Sequence, residues 1–471
     1  MDAVQFLLRE LAAKRGARVG GPIRIASAPG RLDVLGGLGT ESGGTVAHMT
    51  LPHRVAVAVR FTGEGVLKIQ SGGLRVEVPA DAAVSGLSAA SAWAGPLVAL
   101  WQILQQAAPG ERGAEGGEIW VHGDVPRSAG QASSTAMLAA LATTVTSLRQ
   151  TSSFTPDQLA QLIRQAEQAG GGARKMADPT GRMLDATSCL LADASRPHLF
   201  RYSTQPFRLV GQVPLPGDLK VLAMDTGVRR GGDTNARETL NELHVASAMG
   251  FVIIDTIYRD LGRQHTPLHG YLANTSPLLY RQYFRALLPR RLRGSDFVRT
   301  YGGGRVSERV MAMLDPAKVY RVRTAVDHLI AEHEHAEQFL QAIEELADGE
   351  QENRGGGEER LRTMQRAGRL VLASHHSYRL RLELSCREAD WLVDRLMDSG
   401  PEKGIFGARI TGCGGGGTVM ALVDRSRSAA DAILDIMAGY AKLTGLALNV
   451  VEAGTSSSTG AQLAPIADLG T

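Results

Sequence analysis

The sequence predicts an α+β fold made of two domains. The chain has 471 residues, whereas a single hydrophobic core rarely extends beyond about 250–300 residues. Short alternating segments such as residues 53–61 are typical of strands. Longer stretches such as residues 323–346 have the apolar spacing of helices, and the two kinds of segment mix irregularly. We expect an N-terminal domain over residues 1–205 and a C-terminal domain over residues 206–471.

The periodicity predicts the individual elements in chain order. Strands are expected over residues 23–28, 53–61, 117–125, 219–225, 407–411 and 418–424. Helices are expected over residues 2–15, 155–169, 238–262, 323–346, 358–400 and 428–443. The start of the helix at 155–169 is well marked, because Thr155 suits the N-cap and Pro156 suits the first turn.

The composition excludes several classes of protein. The net charge is only +3, and no block of Lys and Arg with interleaved aromatic residues occurs, which argues against nucleic-acid binding. Three cysteines far apart in the sequence argue against a disulfide framework. The N-terminal segment lacks the pattern of a signal peptide, and we expect no run long enough to span a membrane. A cytoplasmic protein is therefore predicted, with no nucleic-acid or membrane partner; no oligomeric state is predicted.

The first glycine-rich segment is SAPGRLDVLGGLGTESGG, residues 27–44, with six glycines in 18 residues. Glycine lets a backbone turn sharply or approach a ligand closely, so this composition is typical of a binding loop. Arg31 follows Pro-Gly directly within the segment. A surface ion pair is the alternative interpretation of this arginine.

The second segment is DVPRSAGQASSTAMLAA, residues 124–140, in which small residues precede an apolar helix. The first turn of a helix has unpaired N–H groups and the positive end of the dipole, so it suits a phosphate. Alternatively, the hydroxyls only cap the helix. A Walker loop is excluded, because no Gly-Lys-Ser/Thr follows at the required spacing.

The third segment is GARITGCGGGGTVMALVD, residues 407–424, where four consecutive glycines lie between two predicted strands. A glycine run costs conformational entropy on folding. Its presence indicates a backbone that lies against a ligand or against another backbone, and a plain flexible hairpin is the alternative.

In this order and spacing, the three segments resemble the three signature motifs of the GHMP kinase superfamily. Residues 373–397, ASHHSYRLRLELSCREADWLVDRLM, resemble a further helical region of galactokinases. APGRLDVLGGL and GYLANTSPLLYRQYF, the latter at residues 270–284, are most similar to the L-arabinokinase branch of galactokinase-like enzymes. The resemblance implies an N-terminal domain like ribosomal protein S5 domain 2 and a ferredoxin-like α/β C-terminal domain. It also implies an ATP- and Mg²⁺-dependent sugar kinase with ATP bound between the domains.

The resemblance assigns the catalytic residues. Asp185 matches the catalytic base, and Arg31 matches the arginine beside the reacting hydroxyl. One extra residue precedes Asp185 relative to the family motif, so Asp178 is a second candidate for the base.

The resemblance also assigns the nucleotide and metal ligands. Gly130 and Ser133 match backbone contacts to phosphate, and Ser134 matches a residue that binds both ATP and Mg²⁺. Glu167 matches the second Mg²⁺ ligand, with a solvated helix face as the alternative interpretation.

The sugar-binding residues implied by the resemblance lie in the first and third segments. They are Gly37, Leu38, Thr40, Glu41, Gly414 and Gly415. Galactokinases have Glu, His and Asp where this chain has Gly37, Leu38 and Thr40. A pocket with less polar surface is therefore expected, which suits a pentose or a deoxy sugar. The resemblance implies phosphorylation of an L-arabinose- or galactose-type sugar at its anomeric hydroxyl. The alternatives are a heptose, fucose or non-sugar alcohol as substrate, or a catalytically degenerate sugar-binding regulator.

Overall fold

Two sheets organise the fold of this protein. The computed structural model describes residues 2–13, 22–107, 116–149, 154–170, 179–191, 197–229, 234–262, 267–302, 308–351, 357–455 and 460–464.

The strands follow one another along the chain as β1 Ile23–Leu35, β2 Thr45–Thr62, β3 Val66–Ser71, β4 Leu74–Pro79, β5 Gly116–Gly123, β6 His198–Thr204, β7 Phe207–Pro214, β8 Leu219–Asp225, β9 Leu292–Arg293, β10 Val319–Tyr320, β11 Ile405–Ile410, β12 Thr418–Asp424, β13 Asn449–Glu452 and β14 Gln462–Leu463.

The helices are α1 Ala3–Ala13, α2 Gly95–Ala107, α3 Ser133–Leu148, α4 Pro156–Gly170, α5 Pro179–Leu191, α6 Thr234–Asp260, α7 Pro277–Leu279, α8 Arg285–Leu287, α9 Gly294–Tyr301, α10 Glu308–Met313, α11 Val322–Gln351, α12 Gly357–His376, α13 Arg387–Ser399 and α14 Arg427–Thr444. Two π-helical turns, Tyr280–Phe284 and Ser377–Leu382, interrupt this series.

The larger sheet has eight strands in the order β14-β1-β2-β5-β3-β4, and β6 and β7 extend it from β2. The smaller sheet has the order β11-β12-β8-β13. Helices α3 and α5 pack on β1, α12 packs on β11 of the smaller sheet, and α11 contacts α12 and the turn at Gly37–Ser42 of the first glycine-rich segment. This mixture of mostly antiparallel sheets and helices confirms the predicted α+β class.

The domain boundary expected after residue 205 stays a prediction. Strand β7, which begins at Phe207, pairs with β6 over its whole length and so belongs to the larger sheet. The next strand, β8, belongs to the smaller sheet. We therefore propose a boundary between Pro214 and Leu219, with β14 returning to the larger sheet near the C-terminus.

Strand β1 is longer than the predicted strand at 23–28, because it continues through the first glycine-rich segment to Leu35. Its pairing with β2 shifts register between Pro29 and Arg31 and again between Asp33 and Leu35. Proline lacks an N–H for the ladder, so the first shift is expected where it occurs. The shift frees the N–H of Arg31 to donate to the carbonyl of Gln131 at 3.0 Å.

The single helix predicted over residues 358–400 is broken. Helix α12 ends at His376, a π turn follows, and Glu383 has a left-handed φ of +58° before α13 begins. The break is set by tertiary contact, because the carbonyl of Leu384 accepts a hydrogen bond from the N–H of Gly415 at 2.8 Å. The spacing of apolar residues in the sequence cannot reveal a helix break that depends on contact with a distant turn.

One helix corrects the expectation that no run reaches membrane-spanning length. Residues Glu238–Asp260 of α6 are long and apolar enough to span a membrane by length and composition. Half of this stretch is buried in the fold, where it contributes Met249, Val252 and Ile254 to the core of the C-terminal half. A buried core helix accounts for the same pattern.

Helix α11 carries a fully buried histidine, His328. Its Nδ1 lies 2.9 Å from Ser377 Oγ, and its ring meets the ring of Tyr378 edge-on at 5.3 Å. Burial lowers the pKa of His328 to about 4, although the charge of Glu332 opposes the shift. The imidazole is therefore neutral in the folded protein at neutral pH.

Replacing His328 by Gln should flatten the pH dependence of stability. The unfolded chain takes up the proton near pH 6.5, whereas the folded protein does so near pH 4. The free energy of unfolding contributed by His328 is therefore fully present above pH 6.5 and falls as the pH drops toward 4. Urea unfolding near neutral pH and near pH 5 should show a pH-dependent loss smaller by about 2 kcal/mol in the variant.

The exposed His269 offers a control for the loss of one histidine. His269→Asn keeps a residue type that tolerates the positive φ at this position. If His328→Gln loses as much stability on acidification as the wild type, the conclusion that His328 is buried in its neutral form is wrong.

Candidate active site

The three glycine-rich segments meet at one place in the structure. The hydroxyl of Thr418, which follows the third segment's glycines, donates to the carbonyl of Ala129 at 2.9 Å. The side chain of Gln131 donates back to the same hydroxyl at 3.0 Å. The N–H of Gly412 donates to Asp33 Oδ2 in the first segment at 2.8 Å. Each segment therefore contacts at least one of the others through its backbone.

A forked ion pair between Arg31 and Asp185 lies at this meeting point. Arg31 Nε donates to Asp185 Oδ1 at 2.5 Å, and Nη2 donates to Oδ2 at 2.9 Å. The third guanidinium nitrogen donates to the carbonyl of Gly130 at 2.7 Å. The side chains are 12% and 18% exposed, so the pair is sheltered but remains open to a ligand.

Burial and the neighbouring Asp185 act in opposite directions on the pKa of Arg31. Burial alone would lower the pKa of the Arg31 guanidinium, but the charge and hydrogen bonds of Asp185 raise the pKa above its ordinary value. Arg31 is therefore always charged, and it donates two charge-assisted hydrogen bonds to the side chain of Asp185. The second candidate for the base, Asp178, lies outside the described residues.

The loop before α3 has backbone strain. Ser128 and Ala132 have left-handed φ values of +58° and +60°, a conformation that costs a non-glycine residue roughly 1–3 kcal/mol. Contacts from Arg31 and Thr418 hold the loop in this shape. Among the described side chains none caps α3 at Ala132, so the N–H groups of its first turn remain available to an anion.

The predicted metal ligands lie near the start of α3. Glu167 is buried, and its Oε1 accepts a hydrogen bond from Thr135 Oγ1 at 2.7 Å. Ser134, the residue before Thr135, is exposed. The burial of Glu167 is at odds with a solvated helix face. A carboxylate and a hydroxyl beside a phosphate-binding loop suit Mg²⁺, which takes oxygen ligands and completes its shell with phosphate and water.

No purely protein-based metal centre occurs in the part of the chain that the structure describes, since no group of three or more His, Cys, Asp or Glu side chains converges there.

The predicted sugar-binding residues of the first segment differ in their surroundings. Thr40 is buried and donates to the carbonyl of Gly37 at 3.3 Å. Leu38 is buried in the apolar cluster of the C-terminal half. A Cβ at Gly37 would lie 2.0 Å from Asp33 Oδ2, so the Asp33 carboxylate occupies the space that a side chain at 37 would need. The side chain of Glu41 lies outside the described residues.

The glycines predicted to bind sugar in the third segment pack against protein backbone. A Cβ at Gly414 would lie 2.1 Å from the carbonyl of Leu384, and Gly415 donates its N–H to that carbonyl. The close approach explains the glycine at 414, and a φ of +73°, in the left-handed region, explains the glycine at 415. A role in binding sugar stays a prediction for both.

A second set of residues, whose contacts the sequence does not predict, lies near the site. His48, opposite Asp33 in the β1–β2 pairing, lies 3.2 Å from Ser188 Oγ on α5 through its Nδ1. Ser188 Oγ lies 2.8 Å from the hydroxyl of Tyr202. Burial, and then the charge of Arg31, lower the pKa of His48 to about 4. A neutral His48 therefore braces α5 one turn beyond Asp185.

Asp33, Glu332 and Arg409 were also missed. All three are buried and charged, and they lie in three different elements. Only Asp33 carried a signal in the sequence, because it follows Arg31 by two residues and the strand period places both on one face.

Comparison with known proteins gives two family matches. Residues 95–181 match the GHMP kinases N terminal domain, and residues 358–442 match the GHMP kinases C terminal model. The first range covers the second glycine-rich segment with α3, and the second range covers most of the helices α12 to α14 with the third glycine-rich segment.

Curated relatives match over nearly the whole chain. The L-arabinokinase of Arabidopsis thaliana is 25% identical over 93% of this chain, which spans only 46% of the plant protein. The galactokinase of Chloroflexus aurantiacus is 25% identical over 90% of both chains. The galactokinase of Streptomyces coelicolor is 26% identical over 86% of this chain and 85% of its own.

Solved structures show the same fold. The Lactococcus lactis galactokinase in complex with galactose superposes with a TM-score of 0.70 at 17% identity, covering 98% of this chain and 99% of its own. The Methanococcus jannaschii mevalonate kinase gives a TM-score of 0.51 at 13% identity, covering 93% of this chain and 98% of its own. The chain therefore carries the N- and C-terminal domains of GHMP kinases in order, and it has homologues named galactokinase and L-arabinokinase.

Proposed function

We propose that this protein transfers the γ-phosphoryl group of ATP to a hydroxyl of a monosaccharide. The observation that carries the proposal is the forked Arg31–Asp185 pair where the phosphate-binding loop meets the other two glycine-rich segments. The names of the relatives that match most of this chain, galactokinase and L-arabinokinase, support a kinase with a sugar acceptor.

Phosphoryl transfer requires positioning and charge neutralisation more than covalent chemistry by the protein. In the proposed reaction the sugar hydroxyl lies against Asp185, which accepts its proton as the new O–P bond forms. The bond between the γ-phosphorus and the β,γ-bridging oxygen breaks, and ADP leaves with that electron pair. Arg31 keeps Asp185 in a single orientation through two hydrogen bonds.

The phosphate-binding loop is proposed to hold the triphosphate at the start of α3, through Gly130, Ser133 and Ser134. Ser134 and Glu167 are the proposed protein ligands of Mg²⁺. When bound, the metal would neutralise charge on the phosphates. Thr135 orients Glu167 by donating to Oε1, so the carboxylate is fixed before a metal arrives.

The proposed sugar pocket has fewer polar partners than the galactokinase-like pattern provides. Gly37 has no side chain, Leu38 is buried in an apolar cluster and Thr40 is satisfied by the carbonyl of Gly37. These three positions therefore favour a sugar that lacks the exocyclic hydroxymethyl group, and we propose L-arabinose as the first candidate. A cytoplasmic location and the absence of other partners remain predictions.

Changing Asp185 to Asn should lower kcat by roughly two orders of magnitude or more, which is the usual contribution of an acid–base group. Asn keeps the shape of the side chain but cannot accept the hydroxyl proton. The measurement is a steady-state assay of ADP release with ATP, Mg²⁺ and a responsive sugar, together with nucleotide affinity, which should change little.

Asp327 provides a matched control, because it forms the same forked pair with exposed Arg285, at 2.8 and 3.0 Å. Asp327→Asn should leave kcat near the wild-type value. Near-normal turnover in Asp185→Asn would refute this residue as the base and favour Asp178.

The substrate preference can be measured as kcat/KM across pentoses, deoxy sugars and hexoses. We expect L-arabinose to exceed D-galactose in kcat/KM, because Gly37, Leu38 and Thr40 supply no charged acceptor, and each hydrogen bond to a charged group contributes roughly 1.5–3 kcal/mol. D-galactose as the best substrate would show that Gly37, Leu38 and Thr40 do not shape the pocket as proposed. Sugar binding without any turnover would favour a non-catalytic regulator.

A further inference from the structure

A buried charged cluster joins the end of β1 to the C-terminal half of the fold. Arg409 on β11 is 0% exposed, and Asp33 on β1 and Glu332 on α11 are each 1% exposed. Arg409 Nη1 lies 3.6 Å from Asp33 Oδ2, and Nη2 lies 3.6 Å from Glu332 Oε1. These three residues are called the Arg409 cluster below.

Each member of the Arg409 cluster also holds a backbone group. Asp33 accepts the N–H of Gly412 at 2.8 Å, and Glu332 accepts the N–H of Gly36 at 3.1 Å. Arg409 Nη1 donates to the carbonyl of Val34 at 3.0 Å. The cluster therefore connects the backbone of the first glycine-rich segment to the start of the third.

Both backbone polar groups of Gly412, its N–H and its carbonyl, are held by side chains. Its carbonyl accepts the hydroxyl of Tyr378 at 2.7 Å, while its N–H donates to Asp33. The guanidinium of Arg409 lies over the ring of Tyr378, 5.2 Å from its centre. Arg409 thus contacts both residues that fix Gly412.

Stability does not account for this arrangement. Replacing a buried ion triad by well-packed apolar residues often leaves a protein as stable or more stable, because desolvation offsets the attraction between the charges. Apolar residues cannot, however, direct three backbone hydrogen bonds. What the Arg409 cluster provides, and apolar residues could not, is therefore a fixed geometry between the first and third glycine-rich segments.

The position of Gly412 matters for the candidate site. The turn that begins there leads through Gly417 to Thr418, whose hydroxyl holds the phosphate-binding loop at Ala129. A Cβ at Gly417 would lie only 2.4 Å from the carbonyl of Ala129, so this approach leaves little room for movement.

We propose that Arg409 is a positioning residue that locks the glycine turn at 411–418 onto the first segment, and that it thereby sets the phosphate-binding loop against Arg31 and Asp185. The kinetic consequence rests on the proposed kinase function. The effect of Arg409 on the conformation of the turn does not depend on that function.

The test is Arg409→Lys in the full chain. Lysine keeps one positive charge, but its ammonium group lacks the planar fork that reaches two partners and stacks on an aromatic ring. Hydrogen–deuterium exchange of peptides covering 411–418 should become at least about tenfold faster, and kcat/KM should fall roughly 10- to 100-fold, the scale of an ångström-sized misplacement.

Arg54→Lys is the matched control. Arg54 is also buried, but it donates to Ser27 and to the carbonyl of Gly460, within the larger sheet and away from the glycine turn. The Arg54→Lys variant should leave hydrogen–deuterium exchange at 411–418 unchanged. Equal acceleration of that segment in both variants would reduce Arg409 to a structural role and overturn the proposal.

A triple variant, Asp33→Asn, Glu332→Gln and Arg409→Met, covers the case in which Arg409→Lys does not fold. It removes every charge of the cluster but keeps acceptors at 33 and 332, so a folded protein with rapid exchange at 411–418 is expected. Wild-type exchange and kcat/KM in either folded variant would overturn the proposal. A wild-type protein that phosphorylates no sugar, combined with rapid exchange in Arg409→Lys, refutes the kinase function and supports the positioning role.

Discussion

The guanidinium of Arg31 connects the parts of the candidate site. It donates to both oxygens of Asp185 and to the carbonyl of Gly130, and the N–H of the same residue donates to Gln131. One residue therefore fixes the distance between the candidate base and the second glycine-rich segment, which is proposed to bind phosphate. Charge-assisted hydrogen bonds are stronger in a sheltered site than in water, so this geometry exists before any ligand binds.

These contacts depend on an irregular strand. A regular β1–β2 ladder would pass through Arg31 without a break, but Pro29 interrupts it and Gly30 lets the phosphate-binding loop come close. A Cβ at Gly30 would lie 2.8 Å from the carbonyl of Gln131. Local chemistry at two residues, Pro29 and Gly30, thus sets the approach of a loop almost a hundred residues away in the sequence.

The sequence predicts the helices, the strands and the places where backbones approach closely. It predicts less well which distant residues contact one another. Glycine at 417 indicated contact with a ligand or a backbone, and the structure places it against Ala129. The residues facing Arg409 were beyond prediction, because Asp33 and Glu332 come from a strand and a helix that only the folded chain brings together. The helix break near Glu383 was missed for the same reason, since Gly415 imposes it from a distance. The nearness of Arg31 and Asp185 was predictable only from the family resemblance.

The most direct test of the account is to follow the reaction of the protein with ATP, Mg²⁺ and L-arabinose by ³¹P NMR. The account predicts that the γ-phosphate signal of ATP declines while a phosphomonoester signal appears, coupled to the anomeric proton of the sugar. The same experiment with Asp185→Asn should show almost no new signal over the same time. A decline of ATP that yields only inorganic phosphate, or a sugar phosphate formed equally fast by Asp185→Asn, would contradict the central claim that the Arg31–Asp185 pair directs phosphoryl transfer to a sugar hydroxyl.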